Sequence, residues 1–404
     1  MAFFSRLRLQ SLTAAHRGRC NFSTILSPDS KTPLSAKDKT RAALSLLKSE
    51  QNPEKILEIC RAASLTPDLH LDRIAFSVAV TKLSESNQFS YVKQLLDEHR
   101  RDRPDLRTEK FAAQAIVLFG QANMVDDAIA TFKKHHEDAG SESGSVKTLN
   151  ALLFACAIVK NYAEVKRIFV DFPAIYSISP NLDTYNTVIK SFTESGSSSS
   201  VYSLLGEMKK NRIKPNATTF SHLLAGFYKE EKFEEVGKVL DMMKTEYSIS
   251  PGTATYNVRI QSLCKLKRAR EAMALLDKML KEGPKPNATT FAELIHGFCI
   301  AGDLEEAKKL FKSMVGRGHQ PTIECYFTLI YYLCVGKDFD AAFAICKESM
   351  EKKWVPNFST MKLLVNGLAG EGRVEEAKEL VGQVKEKFSK NAHIWDEVLA
   401  GLPQ

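Results

Sequence analysis

Cysteine and histidine are the residue types of this chain that could ligate a metal ion or act as nucleophiles. Cys264, Cys299 and Cys334 recur at intervals of 35 residues, and each directly follows a leucine or a phenylalanine. No two of the eight cysteines are separated by two residues, the spacing that zinc sites favour. We therefore predict that these three cysteines are reduced and buried in a core, and that the chain holds no metal.

Histidines and paired acids do not form a catalytic arrangement either. His135 and His136 have no carboxylate at a metal-ligand spacing. The glutamate pairs 234–235, 305–306 and 375–376 each begin a predicted helix, where carboxylates interact favourably with the positive end of the helix dipole. The sequence also lacks a glycine-rich phosphate loop and a nucleophile elbow. We predict a protein that is not an enzyme, with no cofactor and no small-molecule substrate.

The secondary structure that carries these residues is predicted by a short sequence motif that recurs through the chain. A proline, usually followed by asparagine, precedes a threonine and an aromatic residue, as in Pro180-Asn181 before Thr184-Tyr185. Six such prolines stand at steps of 35, 36, 35, 35 and 35 residues, namely Pro180, Pro215, Pro251, Pro286, Pro321 and Pro356. A fixed period in this range indicates stacked supersecondary units.

The interior of one unit predicts two antiparallel helices. Apolar residues at three- and four-residue spacings form two stripes, the first Leu294, Ile295, Phe298 and Cys299, the second Leu304, Ala307, Leu310, Phe311 and Met314. Between the stripes, Ala301-Gly302-Asp303 combines a helix stop with a helix start. We call the two helices of a unit helix A and helix B, and the proline prevents helix B from continuing.

This 35-residue unit, with Thr-Tyr-Asn in helix A and a closing Pro-Asn, resembles the pentatricopeptide repeat family and its plain class of 35-residue motifs. The resemblance extends from about Val146 to Asn391. Tetratricopeptide repeats have a period of about 34 residues. They lack the closing Pro-Asn and would carry a Trp and a Leu-Gly in helix A, which no unit here shows. The resemblance implies an all-α, right-handed superhelical solenoid of about ten antiparallel helix-turn-helix repeats in a plant organelle.

The sequence divides into four parts. We predict a mitochondrial transit peptide at 1–28, degenerate helical repeats at 36–145, seven clear repeats at 146–391 and a C-terminal cap helix at 392–404. The seven repeats span 146–181, 182–216, 217–252, 253–287, 288–322, 323–357 and 358–391. Apolar residues make up 44% of the chain, which is enough for a continuous core and excludes a disordered chain.

The first 28 residues differ in composition from the rest of the chain. They contain four arginines and several serines, and the first acidic residue is Asp29. This composition is typical of a mitochondrial transit peptide, with a disordered basic tail or a chloroplast address as alternatives. Loss of these four arginines would reduce the net charge of +8 to about +4, since 8 − 4 = 4. The longest mostly apolar run, 326–335, is about half the length that a membrane span needs, so we predict a matrix protein with no membrane contact.

In the family that the chain resembles, the fifth and the last residue of each repeat together determine which RNA base the repeat binds. An asparagine amide can donate to or accept from a pyrimidine edge. Three pairs match the family's pattern and predict pyrimidines, with cytosine first: Asn150 with Asn181, Asn186 with Asn216, and Asn257 with Asn287. Ser221 with Gly252 is ambiguous, and Ala292, Phe327 and Lys362 do not match.

Three clear base readers among about ten repeats favour a protein that binds RNA partly by other contacts. If each good base contact contributes about 1–3 kcal/mol of discrimination, three of them specify only a short, common sequence. The architecture is similar to that of pentatricopeptide repeat proteins of the plant mitochondrial ribosome, chiefly of its small subunit. We therefore expect a translation protein whose partners are single-stranded rRNA or mRNA and mitoribosomal proteins. A free binder of one organellar transcript and a protein-only adaptor remain alternatives.

Overall fold

The computed structural model describes residues 36–64, 73–102, 108–139, 145–387 and 392–401. Over these ranges the chain consists of 21 α-helices and one 3-10 turn, without a strand. Twenty of the helices follow one another as ten pairs along the chain, and the predicted all-α fold of about ten helix-turn-helix repeats is confirmed. The predicted transit peptide at 1–28 lies outside the described residues.

The helices are numbered in chain order, so that odd numbers up to α19 are helices A and even numbers are helices B. Their bounds are α1 Ala36–Ser49, α2 Pro53–Ser64, α3 Arg73–Glu85, α4 Phe89–Asp102, α5 Glu109–Gln121, α6 Val125–Ala139, α7 Val146–Ile158, α8 Tyr162–Ile175, α9 Leu182–Glu194, α10 Val201–Lys210, α11 Ala217–Lys229, α12 Phe233–Thr245, α13 Thr253–Lys265, α14 Ala269–Glu282, α15 Ala288–Ala301, α16 Leu304–Gly316, α17 Ile323–Val335, α18 Phe339–Glu351, α19 Phe358–Gly370, α20 Val374–Lys387 and α21 Ala392–Ala400.

The described helices are distributed over two compact units, which divide between Val188 and Ile189. In the first unit, each helix A packs on its own helix B and on the next helix A, from α1 through α3 and α5 to α7. In the second unit, the same pattern runs from α11 through α13, α15 and α17 to α19. Such nearest-neighbour packing is the property that makes a row of repeats share one continuous core.

The recurring Pro-Asn and Thr are the start signal of helix A. In α15 the side chain of Asn287 accepts a hydrogen bond from the backbone N–H of Thr290, and the Thr290 hydroxyl accepts one from the backbone N–H of Asn287, both at 3.1 Å. This reciprocal capping box also starts α11, with Asn216 and Thr219. At the other end, Gly302 terminates α15 with a φ of 79°, in the left-handed region that favours glycine.

The repeated cysteines lie in the core, as their spacing predicts. Cys264, Cys299 and Cys334 expose 1–2% of their surface. Between α13 and α15 the packing is so close that a Cβ built on Gly297 would lie 2.2 Å from Sγ of Cys264. Glycine at this position therefore allows two consecutive helices A to approach each other.

The serine-rich run 195–200 contains an ordered turn. Ser198–Ser200 form a 3-10 turn that leads directly into α10, and Ser198 is fully buried. The turn is fixed because the backbone N–H of Ser198 donates to Oε1 of Glu230 in the following repeat, at 2.8 Å. As a result α10 has only ten residues, fewer than any other helix B.

Helix α21 packs at the end of the second unit. Trp395 is buried, and its ring centre lies 4.9 Å from that of Phe358, the first residue of α19. Val398 is buried on the same side of α21. This helix thus covers apolar surface of the last hairpin, the role that we predict for a cap. No described helix has the length and apolarity needed to cross a bilayer.

Candidate nucleic-acid interface

The first predicted base reader, Asn150, forms a hydrogen-bonded set with the closing asparagine of its repeat and a threonine of the next helix A. Nδ2 of Asn150 donates to Oδ1 of Asn181 at 3.1 Å. The hydroxyl of Thr184 lies 2.6 Å from Oδ1 of Asn150 and 3.0 Å from Oδ1 of Asn181. Because the hydroxyl has one proton, we assign it to the shorter contact, in which Thr184 donates to Asn150.

Three repeats further on, Asn257 forms the same set with the same geometry. Its Nδ2 donates to Oδ1 of Asn287 at 3.1 Å, and the hydroxyl of Thr290 donates to its Oδ1 at 2.6 Å. Asn150 and Asn257 lie at equivalent places in α7 and α13. The set is therefore a recurring element of these repeats.

These contacts determine what the reader amides can offer to a ligand. An asparagine side chain has two N–H groups and two lone pairs on its oxygen. In Asn257 the pairing with Asn287 and Thr290 uses one N–H and one lone pair. One donor and one acceptor remain on each reader, with the amide held in a single orientation. Such a group can hydrogen-bond the edge of an unstacked base, the mode by which RNA is read.

The closing asparagines also have a structural role. Oδ1 of Asn181, Asn216 and Asn287 each accepts the backbone N–H of the threonine three residues later, at 3.0–3.1 Å. This bond starts the next helix A. Each closing asparagine therefore stabilises the fold whether or not it contacts a ligand.

Two other predicted readers are less available to a base. Asn186 in α9 is buried, with only 8% of its surface exposed. Ser221 in α11 is half-buried, and its hydroxyl donates to the backbone oxygen of Ala217 at 2.8 Å. Gly252, the closing partner of Ser221, has no side chain to hold it. Asn150 and Asn257 have the full arrangement with a threonine.

The repeats that do not match the family's pattern present a different surface. In α17, Phe327 takes the reader position, and Tyr331 and Val335 follow at helical spacing on the same face. Tyr331 and Val335 expose 45% and 54% of their surface. In α19, Lys362 is exposed at the reader position. These side chains provide apolar contact or positive charge in place of an amide.

Basic residues of helices A are mostly engaged within the protein. Nζ of Lys147 lies 2.8 Å from the carboxylate of Glu109, and Nζ of Lys190 lies 3.8 Å from that of Glu194. Nε of Arg259 donates to the hydroxyl of Tyr228 at 3.1 Å. Exposed ion pairs of this kind are weak, so a phosphate can compete for the lysines.

The described residues provide no group of three His, Cys, Asp or Glu that could hold a metal ion. Burial raises the pKa of the Cys264, Cys299 and Cys334 thiols to about 12, which keeps them protonated and unreactive. Desolvation, with a contribution from Lys190, lowers the pKa of His222 to about 4, so this imidazole is neutral at pH 7. Neither the three thiols nor the imidazole of His222 is activated as a nucleophile.

Sequence reasoning alone did not identify Thr184 and Thr290 as part of the site. The available signal was the recurrence of threonine three residues after the closing asparagine. The threonine helps to start its own helix A, because its hydroxyl accepts the backbone N–H of the closing asparagine. The hydroxyl also orients the reader of the preceding repeat.

Comparisons with known proteins agree with the repeat pattern. The "PPR repeat family" model matches residues 180–229, 251–300 and 289–335, and the "Pentatricopeptide repeat domain" model matches 143–195. A further "PPR repeat" model matches 218–247 and 359–387. The matches thus cover the repeats in which the closing asparagines and the threonines lie.

Two curated proteins of Arabidopsis thaliana are similar over most of their length. A mitochondrial pentatricopeptide repeat-containing protein is 51% identical, with 100% of this chain and 99% of the relative covered. The small ribosomal subunit protein mL103 is 30% identical, with 88% of this chain and 86% of the relative covered. The first of these names supports a mitochondrial location.

Among solved structures, that of the pentatricopeptide repeat protein PPR10 from maize is 15% identical, with a TM-score of 0.43 over 91% of this chain and 66% of that chain. The mitochondrial relative is much stronger evidence for the family, because it is 51% identical to this chain over nearly the whole of both sequences. Together with ten helical hairpins and the repeat matches, that identity means that the chain belongs to the pentatricopeptide repeat family.

Proposed function

We propose that this protein is a non-catalytic RNA-binding protein of the mitochondrial matrix that acts in translation as a component or stable partner of the mitochondrial ribosome, with the small subunit favoured. The observation that carries the proposal is the contrast between repeats. Asn150 and Asn257 are oriented by identical hydrogen bonds, whereas Phe327 and Lys362 take the same position with side chains that cannot read a base edge in this way.

Base readout of this kind gives modest sequence specificity. Each oriented amide contributes about 1–3 kcal/mol of discrimination, so two or three of them distinguish only short pyrimidine-containing sequences. A protein that regulates one transcript needs to recognise a longer RNA sequence. A protein held in a large ribonucleoprotein does not, because phosphate contacts and neighbouring proteins position it.

The relatives support the ribosomal assignment. The similarity to mL103, which is named a small ribosomal subunit protein, covers most of both chains at 30% identity. The named location of the 51% identical relative supports the organelle. A role in translation and a place in the matrix follow from the ribosomal assignment.

Sedimentation of a mitochondrial lysate tests the ribosomal assignment. The protein is expected to migrate with the small ribosomal subunit in salt that leaves other subunit proteins attached. Its presence only in light fractions would refute the assignment. A second measurement, crosslinking followed by RNA sequencing, is expected to recover rRNA.

The second candidate function is a free single-stranded RNA binder that stabilises, processes or activates one transcript. It is favoured by the oriented amides of Asn150 and Asn257, which would be unnecessary in a purely structural subunit. In that case crosslinking recovers one mRNA in place of rRNA, and the protein stays out of the ribosomal fractions.

A further inference from the structure

A cleft of about 640 Å³ lies beside the connection between α10 and α11, within the second unit. Residues from that connection and from the end of α12 line it, namely Lys209, Arg212, Ile213, Lys214, Pro215, Glu246 and Tyr247. Its volume is in the range of about 300–1,000 Å³ that small-molecule sites occupy, and is much larger than one phosphate group. Neither Asn150 nor Asn257 is among its lining residues.

The charge of the cleft is unbalanced. Lys209, Arg212 and Lys214 are exposed, and none has an ion pair or hydrogen-bond acceptor for its side chain among the described residues. Glu246 is the single carboxylate in the lining. Three cations near one carboxylate create a local positive potential, which attracts a polyanion.

Two cations on other helices B are neutralised by an acid of their own helix. Lys238 in α12 pairs with Glu235 at 2.6 Å, and Lys309 in α16 pairs with Glu306 at 3.1 Å. These lysines stand three residues after their acid on the same helix, where pairing follows from helix geometry. The cleft cations lie at and beyond the end of α10, with no acid at that spacing in position to neutralise them.

The cations are displayed by a fixed turn. Arg212 has a φ of 58°, and its backbone N–H donates to the oxygen of Lys209 at 3.1 Å. The backbone N–H of Ile213 donates to the oxygen of Met208 at 2.8 Å. Pro215 is buried next to the turn. Less conformational entropy is therefore lost when the turn binds a ligand.

The opposite wall supplies an aromatic ring. Tyr247 is half-buried, and its ring centre lies 5.3 Å from that of Phe220 in α11. Phe220 is fully buried, so it holds Tyr247 in place. A fixed aromatic side chain beside a cluster of cations is the combination that single-stranded nucleic acids bind, with the ring against a sugar or base and the cations on phosphates.

We propose that this cleft binds phosphodiester groups of RNA and forms a backbone-contact site in addition to the base-reading amides. The inference rests on the proposed RNA-binding function and adds the contact that positions the strand. Pro215 in the lining is followed directly by Asn216, a predicted base-contact residue, so a strand on this repeat passes the cleft. Phosphate contacts of this type give affinity without sequence preference.

The test compares the full chain with a variant carrying Lys209→Gln, Arg212→Gln and Lys214→Gln. Binding of a pyrimidine-rich and a purine-rich single-stranded RNA of equal length is measured by fluorescence anisotropy over a range of salt concentrations. The plot of log K against log salt has a negative slope, and each lost phosphate contact makes it less steep by about 0.7. The variant's slope is therefore expected to be less steep than that of the wild type by about 2. Affinity for both RNAs is expected to fall by the same factor.

The matched control carries Lys133→Gln, Lys134→Gln and Lys312→Gln, which remove the same charge from exposed helix B positions. Its salt slope is expected to stay at the wild-type value. A second variant with Lys209→Gln and Lys214→Gln keeps Arg212 and its turn. This double variant replaces the triple variant if the latter does not fold. Its salt slope is expected to be less steep than that of the wild type by about 1.4.

The outcomes separate the two proposals. If the wild-type chain binds neither RNA, the proposed function itself fails. If the wild-type chain binds RNA and the cleft variants have the slope of the control, the inference about the cleft is wrong while the function stands. If the cleft variants bind RNA like the wild type but are lost from the ribosomal fractions, the cleft binds an acidic protein, and the inference is also wrong.

Discussion

The hydroxyl of Thr290 donates to the reader amide of Asn257 from the repeat that follows it, at 2.6 Å. A repeat therefore does not orient its own reader completely, since the third residue of the next helix A supplies one of the two bonds. The same hydroxyl accepts the backbone N–H of Asn287 and so belongs to the capping box of α15. One side chain therefore serves both the helix start and the orientation of a predicted base reader.

This sharing predicts that Thr184→Val and Thr290→Val, introduced together, weaken pyrimidine preference. Each change removes the bond that holds a reader's Oδ1 in place. Such a bond is worth about 0.5–1.5 kcal/mol, so the two changes together lower the ratio of affinities for pyrimidine-rich and purine-rich RNA roughly 5- to 150-fold. Anisotropy titrations with the two RNAs measure this ratio.

Thr360→Val is the matched control for that experiment. Thr360 is the third residue of α19, and its backbone N–H bonds the closing Asn357 as in the other repeats. The preceding repeat, however, has Phe327 at the reader position. Valine keeps this backbone N–H, and no asparagine reader precedes it, so the control is expected to leave the affinity ratio unchanged. An equal loss of preference in the control would mean that the threonines act through stability alone.

Phe327→Asn is expected to create a reader. The repeat already ends in Asn357, and Thr360 stands at the position from which Thr290 orients Asn257. An oriented asparagine should add about 1–3 kcal/mol of preference for a pyrimidine at the matching nucleotide. Binding to RNAs that differ at that single nucleotide measures the gain, with Phe327→Leu as the control that keeps an apolar side chain. No difference between the two variants would contradict the reader geometry.

The close approach of helices A predicts that Gly297→Ala is destabilising. The added Cβ would lie 2.2 Å from Sγ and 2.7 Å from Cβ of Cys264, so two helices must separate. Overpacking of this kind costs about 1–3 kcal/mol. The urea concentration at half-unfolding, followed by circular dichroism, is expected to fall.

Gly237→Ala in α12 provides the opposite expectation. A Cβ on Gly237 would have no atom within 4 Å, and Gly237 lies inside a helix. Alanine there should stabilise by about 0.5–1 kcal/mol because it restricts the unfolded chain. Equal effects of the two substitutions would show that helix propensity, rather than the contact with Cys264, controls both.

Much of the fold could be predicted because each repeat contains its own start and stop signals. Each helix A from α7 to α19 begins at the first residue of a predicted repeat, since a capping residue and a preceding turn fix that point locally. The apolar stripes predicted the core positions for the same reason, as with Cys264, Cys299 and Cys334.

What could not be predicted depends on contacts between repeats. The buried turn at Ser198 is held by Glu230, which lies 32 residues further along the chain. The bond from Thr290 to Asn257 spans 33 residues, and the cleft is formed by the ends of two different hairpins. Spacing within one repeat contains no information on such distances. The resemblance to the family implied the reader positions but not which amides are oriented.

The half-buried imidazole of His222 makes stability depend on pH. Its pKa of about 4 lies below the ordinary value of 6.5, chiefly because burial disfavours the charged form, and Lys190 adds to this while Glu194 opposes it. Between these two pKa values the unfolded chain binds a proton that the folded chain does not, so stability falls as pH decreases through this window. Above the ordinary pKa the group has no effect. At about pH 5 the loss is on the order of 1–2 kcal/mol.

His222→Gln is expected to remove this part of the pH dependence, because glutamine has no proton to gain. Thermal unfolding from neutral pH down to about pH 5, in the window where histidine titrates, measures the change in Tm for each protein. The wild-type Tm should fall more steeply than that of the variant, and His296→Gln, which changes an exposed histidine in α15, should retain the wild-type slope. The carboxylates titrate equally in all three proteins, so the difference between the slopes isolates His222. Parallel curves for the wild type and His222→Gln would mean that the folded protein admits the proton as readily as the unfolded chain does.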